Sequence, residues 1–277
     1  MDPIEFDHVP DIRLIVCDMD GTLLDDDNAL HDDFWPVIDQ LHQRGVTFCP
    51  ASGRQYYSLR DRFEPIAHEV IFIAENGAFV VDGDGVELSS DCLNPKAWQE
   101  MVLVGRELIA TGAQVGVVLC GKRSAYIESQ DPEFPARVGW YFHRCATVED
   151  LLEVEDDILK VSVYDFESAE KISAPAFAGF RSSHQVVVSG QHWLDVMQPG
   201  ANKGTAVRQV QQTMGITPAQ TMVFGDFLND LEMMDEAYYS FAMANAHPQL
   251  AARARFPAPG NTDNGVVRTI QSVLRLN

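Results

Sequence analysis

The chain has 277 residues, 46% of them hydrophobic, so it is long enough for one large domain or two of ordinary size, each with a buried core. Its 41 acidic and 20 basic residues give a formal net charge of −21, which repels nucleic acid and anionic lipid and argues against partners of either kind. No apolar run approaches the roughly 18 residues of a membrane span, and the acidic N-terminus lacks the basic and apolar regions of a secretory signal.

The first third of the sequence alternates short apolar runs with amphipathic segments. Strands are predicted at 12–17, 46–49 and 70–73, because each run is apolar and has the length of a buried strand. Helices are predicted between them at 32–44, where a glycine provides the stop signal, and at 55–63. This βαβαβ order predicts a parallel sheet with right-handed crossovers.

The pattern changes after the third strand. A hairpin is predicted at 80–87, and from 85 to 191 strand and helix signals mix without the earlier alternation. We interpret this middle part as an inserted α+β domain. The alternation then returns with a helix at 203–214 and a strand at 221–224.

The cysteines indicate a reducing compartment. There are five of them, an odd number, and none forms a CxxC pair. This favours free thiols over a disulfide framework, so a cytoplasmic location is predicted. The eight histidines form no HExxH motif and do not pair closely with cysteines, so a dedicated zinc site is not expected.

Polar side chains follow three of the predicted parallel strands at the point where each strand ends. Asp18 and Asp20 follow the first strand, Ser52 follows the second, and Asp226 follows the strand at 221–224. The carboxyl ends of parallel strands form one edge of a sheet, and ligands bind there in open α/β sheets. We therefore expect these four side chains to converge on one crevice.

The residue types at this edge suit phosphoryl transfer. Mg²⁺ prefers oxygen ligands, which Asp18 and Asp226 can supply. Asp18 can also attack a phosphorus atom, while Asp20 can protonate the leaving alcohol and later activate water. Lys203, at the start of a helix, offers a cation for phosphate oxygens. The Ser52 hydroxyl and nearby backbone N–H groups can bind the same oxygens.

These residues lie in four segments that resemble the motifs of the haloacid-dehalogenase-like hydrolases. In chain order, the segments are DMDGTLL at 18–24, SGR at 52–54, KG at 203–204 and GDFLND at 225–230. Two later stretches, at 242–246 and 264–266, are similar to the Cof-type branch of that family. The first and fourth segments together are specific for this family, whereas SGR and KG taken alone are weak evidence for it.

The resemblance implies an α/β fold class, with a Rossmann-like parallel-sheet core and an inserted α+β cap domain between the second and third motifs. Combined with the change of pattern along the chain, it divides the protein into a discontinuous core at 1–84 and 192–277 and a cap at 85–191. Phe227 stands where the family often has a small or polar residue, which predicts a more apolar pocket floor.

The resemblance also implies a role for each motif residue. Mg²⁺ would be held by Asp18, the main-chain carbonyl of Asp20, and Asp226, with Asp230 in support. The phosphate would be bound by Ser52, Gly53, Lys203 and Asn229.

Members of this branch typically hydrolyse sugar phosphates or other small phosphorylated metabolites. The sequence therefore predicts a phosphoric monoester hydrolase that forms an aspartyl-phosphate on Asp18 and needs Mg²⁺. Two alternatives stay open: a phosphomutase or phosphotransferase on the same fold, and a non-catalytic metabolite-binding protein. Within the cap, the segments at 121–123 and 140–144 have the side chains best suited to contact a ligand. No oligomeric state is predicted.

Overall fold

The predicted alternation of strands and helices is present in the computed structural model, which describes residues 2–128 and 133–276. Strands β1 to β5 span Leu14–Asp18, Thr47–Ala51, Phe72–Ala74, Phe79–Val81 and Glu87–Ser90. Helices α1 and α2 span Phe34–Gln43 and Tyr56–Arg62. As predicted, β1, β2 and β3 are parallel, and β4 and β5 then join them as antiparallel strands.

The chain next forms a second sheet. Its strands β6 to β11 span Val115–Gly121, Ala125–Ile127, Cys145–Thr147, Ile158–Asp165, Gln185–Val188 and Trp193–Met197. Helices α3 to α5 of this part span Pro95–Ala110, Glu133–Val138 and Ala174–Ala176. The strand order is β10-β11-β9-β6-β7-β8, and all neighbours are antiparallel except β7 and β8.

The last part of the chain completes the first sheet. Strands β12 to β14 span Thr221–Gly225, Tyr239–Met243 and Phe256–Ala258. Helices α6 to α9 span Lys203–Met214, Leu231–Asp235, Pro248–Arg253 and Gly265–Leu274. The eight strands run in the order β14-β13-β12-β1-β2-β3-β4-β5. Helix α6 has the predicted limits, because Asn202 Oδ1 caps its first turn and Gly215 ends it at a φ of +66°.

Helices cover both faces of the first sheet, and alternate side chains of β1 pack on opposite faces. Ile15 and Cys17 lie in one cluster with α1 and α9, whereas Leu14 and Val16 lie in another with α6 and α7. A strand that is buried on both faces has to be apolar along its length, which explains the uninterrupted apolar run in the sequence. Because side chains alternate along a strand, the Asp18 side chain lies on the same face as those of Leu14 and Val16, which is the face covered by α6.

Two strands next to the predicted boundaries at 84/85 and 191/192 pair across them. Strand β5 follows the first boundary but pairs with β4 in the first sheet. Strand β11 follows the second boundary but pairs with β9 and β10 in the second sheet. The pattern of residues within a strand does not reveal which strand it pairs with, so this pairing could not be predicted. No helix of the described residues is long and apolar enough to cross a membrane.

Candidate active site

Strand pairing brings the first and fourth motifs together. Strands β1 and β12 are parallel neighbours, so Asp18 and Asp226 follow their last paired residues at the same edge of the sheet. Gly21 lets the loop after β1 pass close to Asp226, because its φ is +79° and a Cβ there would overlap Asp226 Oδ2. Thr22 Oγ1 donates to Asp226 Oδ1 at 3.2 Å and thereby ties the two loops together.

Lys203 lies fully buried behind this edge, where α6 begins. Its Nζ donates to Asp18 Oδ1 and, at 2.6 Å, to Asp230 Oδ1. The second oxygen of Asp230 accepts from the backbone N–H groups of Asp226 and Phe227 at 3.1 and 3.3 Å. Asp230 therefore fixes both the lysine and the loop after β12, and the lysine in turn fixes Asp18.

The carboxylates in this cluster outnumber the cations. One oxygen each of Asp18, Asp226 and Asp230 lies within 4.8 Å of the other two. Burial, followed by the charge of Asp230, raises the pKa of Asp18 well above its usual range and that of Asp226 to about 7. When all three carboxylates are ionised, they exceed the one ammonium group by two negative charges, which a divalent cation would balance. Because all the donors are oxygens, the residues present fit Mg²⁺.

Asp20 is more exposed than this cluster and is held by Arg54. Arg54 Nε donates to Asp20 Oδ2 at 2.8 Å, and Nη2 donates to the other carboxylate oxygen. Nη2 also donates to Asn28 Oδ1 at 2.9 Å. This bidentate contact fixes the orientation of the Asp20 carboxylate. Sequence reasoning included Arg54 only as part of the SGR segment and assigned it no role.

The loop after β2 carries the predicted phosphate-binding residues Ser52 and Gly53. Ser52 Oγ accepts the N–H of Arg54 at 3.1 Å, which leaves the hydroxyl hydrogen free to donate. The carbonyl of Gly53 accepts from Lys160 Nζ, on the second sheet, at 2.7 Å. The loop is thus tied to the second sheet as well as to its own strand.

Asn229 takes part in a chain of hydrogen bonds that also reaches the second sheet. Its Nδ2 donates to Asn76 Oδ1 at 3.1 Å, and Asn76 Nδ2 donates to Asp195 Oδ2 at 2.6 Å. Asn76 and the preceding Glu75 have φ values of +55° and +52°, which are uncommon for residues with a side chain and concentrate at functional sites. Sequence reasoning missed both residues, although they directly follow β3 as Ser52 follows β2.

Lys160 on β9 connects the two sheets through a buried ion cluster. Its Nζ lies 2.9 Å from Glu75 Oε2 and 3.4 Å from Asp195 Oδ1, in addition to its bond to Gly53. Burial alone would lower the pKa of Lys160, but the charges of Asp195 and Glu75 outweigh it and raise that pKa. Sequence reasoning missed Lys160 and Asp195. Each interrupts an apolar strand, which was the available signal.

Replacing Lys160 with methionine is expected to lower the free energy of unfolding by about 3–5 kcal/mol, because two buried carboxylates then lose their cation. Urea unfolding followed by circular dichroism measures this change. The matched control is Lys171→Met, an exposed lysine in the segment between β9 and α5, for which a change within about 0.5 kcal/mol is expected. Adding Glu75→Gln to Lys160→Met should restore part of the loss. Equal stability of the two single variants would contradict the structural role of Lys160.

The two sheets enclose a cavity of about 390 Å³. Six of the predicted site residues line it, namely Asp18, Asp20, Ser52, Gly53, Asp226 and Asn229. Lys203 and Asp230 are completely buried behind Asp18, where Lys203 contacts Asp18 and Asp230 contacts Lys203. Phe227 lines the cavity too, in keeping with the apolar floor predicted for this position. The structure therefore brings all the predicted site residues to one place.

The cap segment at 121–123, predicted to be suited to ligand contact, lies outside this cavity. Lys122 Nζ pairs with Glu87 Oε2 at 2.9 Å, and Arg123 Nε pairs with Asp156 Oδ1 at 3.3 Å. Acidic neighbours distant in the sequence pair with the cations of this turn.

The second cap segment, 140–144, contributes only part of its length to the cavity. Tyr141 and Phe142 line it, whereas Trp140 is 72% exposed and lies outside. The guanidinium of Arg144 lies 3.6 Å from the centroid of the Tyr57 ring, so it attaches this segment to α2. Two aromatic residues of this segment therefore face the cavity, and its charged end packs on α2.

Comparison with known proteins agrees with this geometry. A family model described as haloacid dehalogenase-like hydrolase matches residues 15–270. The chain belongs to the haloacid dehalogenase-like hydrolase family. It is 35% identical over 269 residues to the 5-amino-6-(5-phospho-D-ribitylamino)uracil phosphatase YbjI of Escherichia coli, covering 95% of this chain and 97% of that protein. It is also 32% identical over 242 residues to the HMP-PP phosphatase of Cronobacter sakazakii, covering 87% of each.

Solved structures of similar proteins show the same architecture. SMU.1108c from Streptococcus mutans superimposes with a TM-score of 0.86 at 26% identity, covering 96% of this chain and all of that one. A HAD/COF-like hydrolase from Plasmodium vivax superimposes with a TM-score of 0.84 at 20% identity, covering 97% of both chains. These findings confirm the predicted family, the α/β fold class and the enzyme class of phosphoric monoester hydrolase.

Proposed function

We propose that this haloacid dehalogenase-like hydrolase is a Mg²⁺-dependent phosphatase of small phosphorylated metabolites and that it forms an aspartyl-phosphate on Asp18. The observation that carries the proposal is the cluster at the floor of the cavity. Asp18 faces the cavity beside Asp226, is held from behind by Lys203, and lies in the same loop region as Asp20. Such an arrangement supplies a nucleophile, an acid–base group and a metal site together.

In the first step, a carboxylate oxygen of Asp18 attacks phosphorus, and the bond between phosphorus and the ester oxygen breaks. Asp20 gives a proton to that leaving oxygen, so the product is a neutral alcohol. In the second step, Asp20 takes a proton from water, and the water oxygen attacks phosphorus. The bond between phosphorus and Asp18 then breaks, which releases phosphate and restores both carboxyl groups.

Mg²⁺ would be held by Asp18, the main-chain carbonyl of Asp20, and Asp226. When bound, it would shield the charge of the phosphate from the attacking carboxylate. Asp230 would support the site indirectly, since its oxygens are engaged by Lys203 and by two backbone N–H groups. Phosphate oxygens would be bound by Ser52, Gly53 and Asn229 at the cavity surface, with Lys203 supplying positive charge from behind Asp18.

The substrate class follows from the names of the relatives and from the Cof-type motifs. One relative is named for a uracil derivative that carries a phosphorylated ribityl chain, and the other for HMP-PP. We propose a phosphorylated sugar or sugar derivative as substrate, and no nucleic-acid or membrane partner, given the net charge of −21. The five free cysteines suit the proposed cytoplasmic location.

Phosphate release is expected to depend on Mg²⁺ and to need no second alcohol. The purified protein should release phosphate from members of a panel of phosphorylated metabolites, lose this activity in excess EDTA, and regain it when Mg²⁺ exceeds the chelator. Full activity in excess EDTA would contradict the metal site. Transfer that occurs only when a sugar acceptor is added would favour a phosphotransferase, and binding without release would favour a non-catalytic protein.

A further inference from the structure

Asp195, on β11 of the second sheet, is a buried carboxylate that lines the cavity and is surrounded by donors. Its Oδ1 accepts from the hydroxyl of Ser162 at 2.5 Å and lies 3.4 Å from Lys160 Nζ. Its Oδ2 accepts from the hydroxyl of Ser189 at 2.7 Å and from Asn76 Nδ2 at 2.6 Å. Asp195 is therefore an acceptor at both oxygens. Asn76 differs from the other three partners because it follows β3 of the first sheet.

Asp195 determines which way the amide of Asn76 points. An amide side chain has a donor end and an acceptor end, and an ionised carboxylate pairs only with the donor end. Asn76 therefore turns Nδ2 toward Asp195 and offers Oδ1 to Asn229, whose Nδ2 donates to it at 3.1 Å. An amide nitrogen carries two hydrogens. Once one of them is given to Asn76, the other stays available to a ligand in the cavity, which Asn229 lines.

The rest of Asn76 is held by the loop after β2. Its backbone N–H donates to the carbonyl of Ser52 at 2.9 Å. Its amide packs on Gly53, because a Cβ built at that glycine would lie 3.0 Å from Asn76 Oδ1. The first sheet and its loops thus fix the place of Asn76. What Asp195 adds from the second sheet is the orientation of the Asn76 amide.

We propose that Asp195 is a positioning residue for phosphate binding, which acts through Asn76 to hold the Asn229 amide with one N–H available to the phosphate. Without Asp195, the Asn76 amide is free to reverse and to turn Nδ2 toward Asn229. Asn229 would then present Oδ1 in place of Nδ2, and an oxygen acceptor repels a phosphate oxygen. This inference rests on the proposed function, in which Asn229 binds the phosphate. It gives the second sheet a part in binding the phosphate itself, whatever the leaving group.

The affinity for inorganic phosphate measures this role directly. We expect Asp195→Ala to raise the competitive Ki of phosphate, measured with saturating Mg²⁺, on the order of 10-fold, as for the loss of one hydrogen bond to a charged group. The KM values for acetyl phosphate and ribose 5-phosphate should rise by the same factor, because the two esters share only the phosphate. A contact between Asp195 and the leaving group would instead change the KM of ribose 5-phosphate alone.

The surroundings of Asp195 allow its removal. Lys160 Nζ also lies 2.9 Å from Glu75 Oε2, so the buried ammonium group keeps a carboxylate partner in Asp195→Ala. The two serine hydroxyls that lose their acceptor line the cavity, where water can bind them.

Asp165→Ala is the matched control for an effect on stability alone. Asp165 is also a fully buried aspartate of the second sheet, on β9, but it lies outside the cavity. Its carboxylate accepts from Ser173 Oγ at 2.7 Å and from the N–H groups of Glu167 and Ser168. Asp165→Ala should therefore lower the thermal midpoint but leave the Ki of phosphate unchanged.

A double-mutant cycle shows whether Asp195 acts through Asn229. Asn229→Ala alone should raise the Ki of phosphate on the order of 10- to 100-fold. Adding Asp195→Ala to it should raise Ki by less than about 2-fold more, because the amide that Asp195 positions is already absent. Asn76→Gly interrupts the same chain of hydrogen bonds at a φ of +55°, which glycine adopts without strain. It should reproduce the effect of Asp195→Ala and replaces that variant if it does not fold.

Failure of this inference is distinguishable from failure of the proposed function. If the unaltered protein releases phosphate from no ester, the proposed function is wrong and the inference falls with it. If phosphate is released but Asp195→Ala and Asn76→Gly leave its Ki unchanged, the inference alone is wrong. Effects of Asp195→Ala and Asn229→Ala that multiply in the double variant would likewise contradict the path through Asn76.

Discussion

Asp18→Asn is expected to abolish phosphate release from every substrate, with residual kcat below about 10⁻⁴ of the unaltered value. An amide nitrogen and a neutral carbonyl cannot form the bond to phosphorus that the first step requires. Losses on the order of 10⁶ in kcat are known for removal of a catalytic nucleophile. Initial rates measured at saturating Mg²⁺ give the size of the effect.

The comparison requires that Asp18→Asn be folded. The variant removes one of two uncompensated negative charges, so its thermal midpoint in EDTA should be no lower than that of the unaltered protein. Asp39→Asn is the matched control, because the same change is made at an exposed position of α1. Normal turnover by folded Asp18→Asn protein would rule out the aspartyl-phosphate mechanism.

Asp20→Asn is expected to lower kcat by roughly 10²- to 10⁴-fold for alkyl phosphates, the usual contribution of general acid–base catalysis. The loss should be smaller for an aryl phosphate, because a phenolate leaves with less need of a proton. The ratio of the two losses separates the acid role from a general disturbance of the site. It is obtained from kcat values for one alkyl and one aryl ester on the same protein preparations.

The position of Asp20 makes this experiment interpretable. Its carboxylate lies outside the Lys203 cluster, so an asparagine there leaves the contacts of Lys203 unchanged and removes only the counter-ion of Arg54. Asp27→Asn is a matched control at an exposed position farther along the same loop and should behave as the unaltered protein does. Equal losses for the alkyl and aryl esters would mean that Asp20 is not the acid.

Much of the core could be predicted because its signals are local. A strand buried on both faces needs an unbroken apolar run, and the run at Leu14–Asp18 ends where a charged residue first appears. The limits of α6 follow from an asparagine that caps its first turn and a glycine that ends it. Once the strands are parallel, residues at their carboxyl ends must share an edge, so Asp18 and Asp226 could be placed together.

The sequence by itself therefore determined the order of the core elements, the edge that bears chemistry and the residue types at that edge. Only the tertiary structure decided how the second sheet covers it. Lys160, Asp195 and Asn76 lie far apart along the chain, and they meet because the two sheets face each other. Periodicity tells which face of a strand is apolar, but not which strand lies beside it or what the other face meets. For that reason the contact between Arg54 and Asp20 and the order of the strands in the two sheets had to come from the folded molecule.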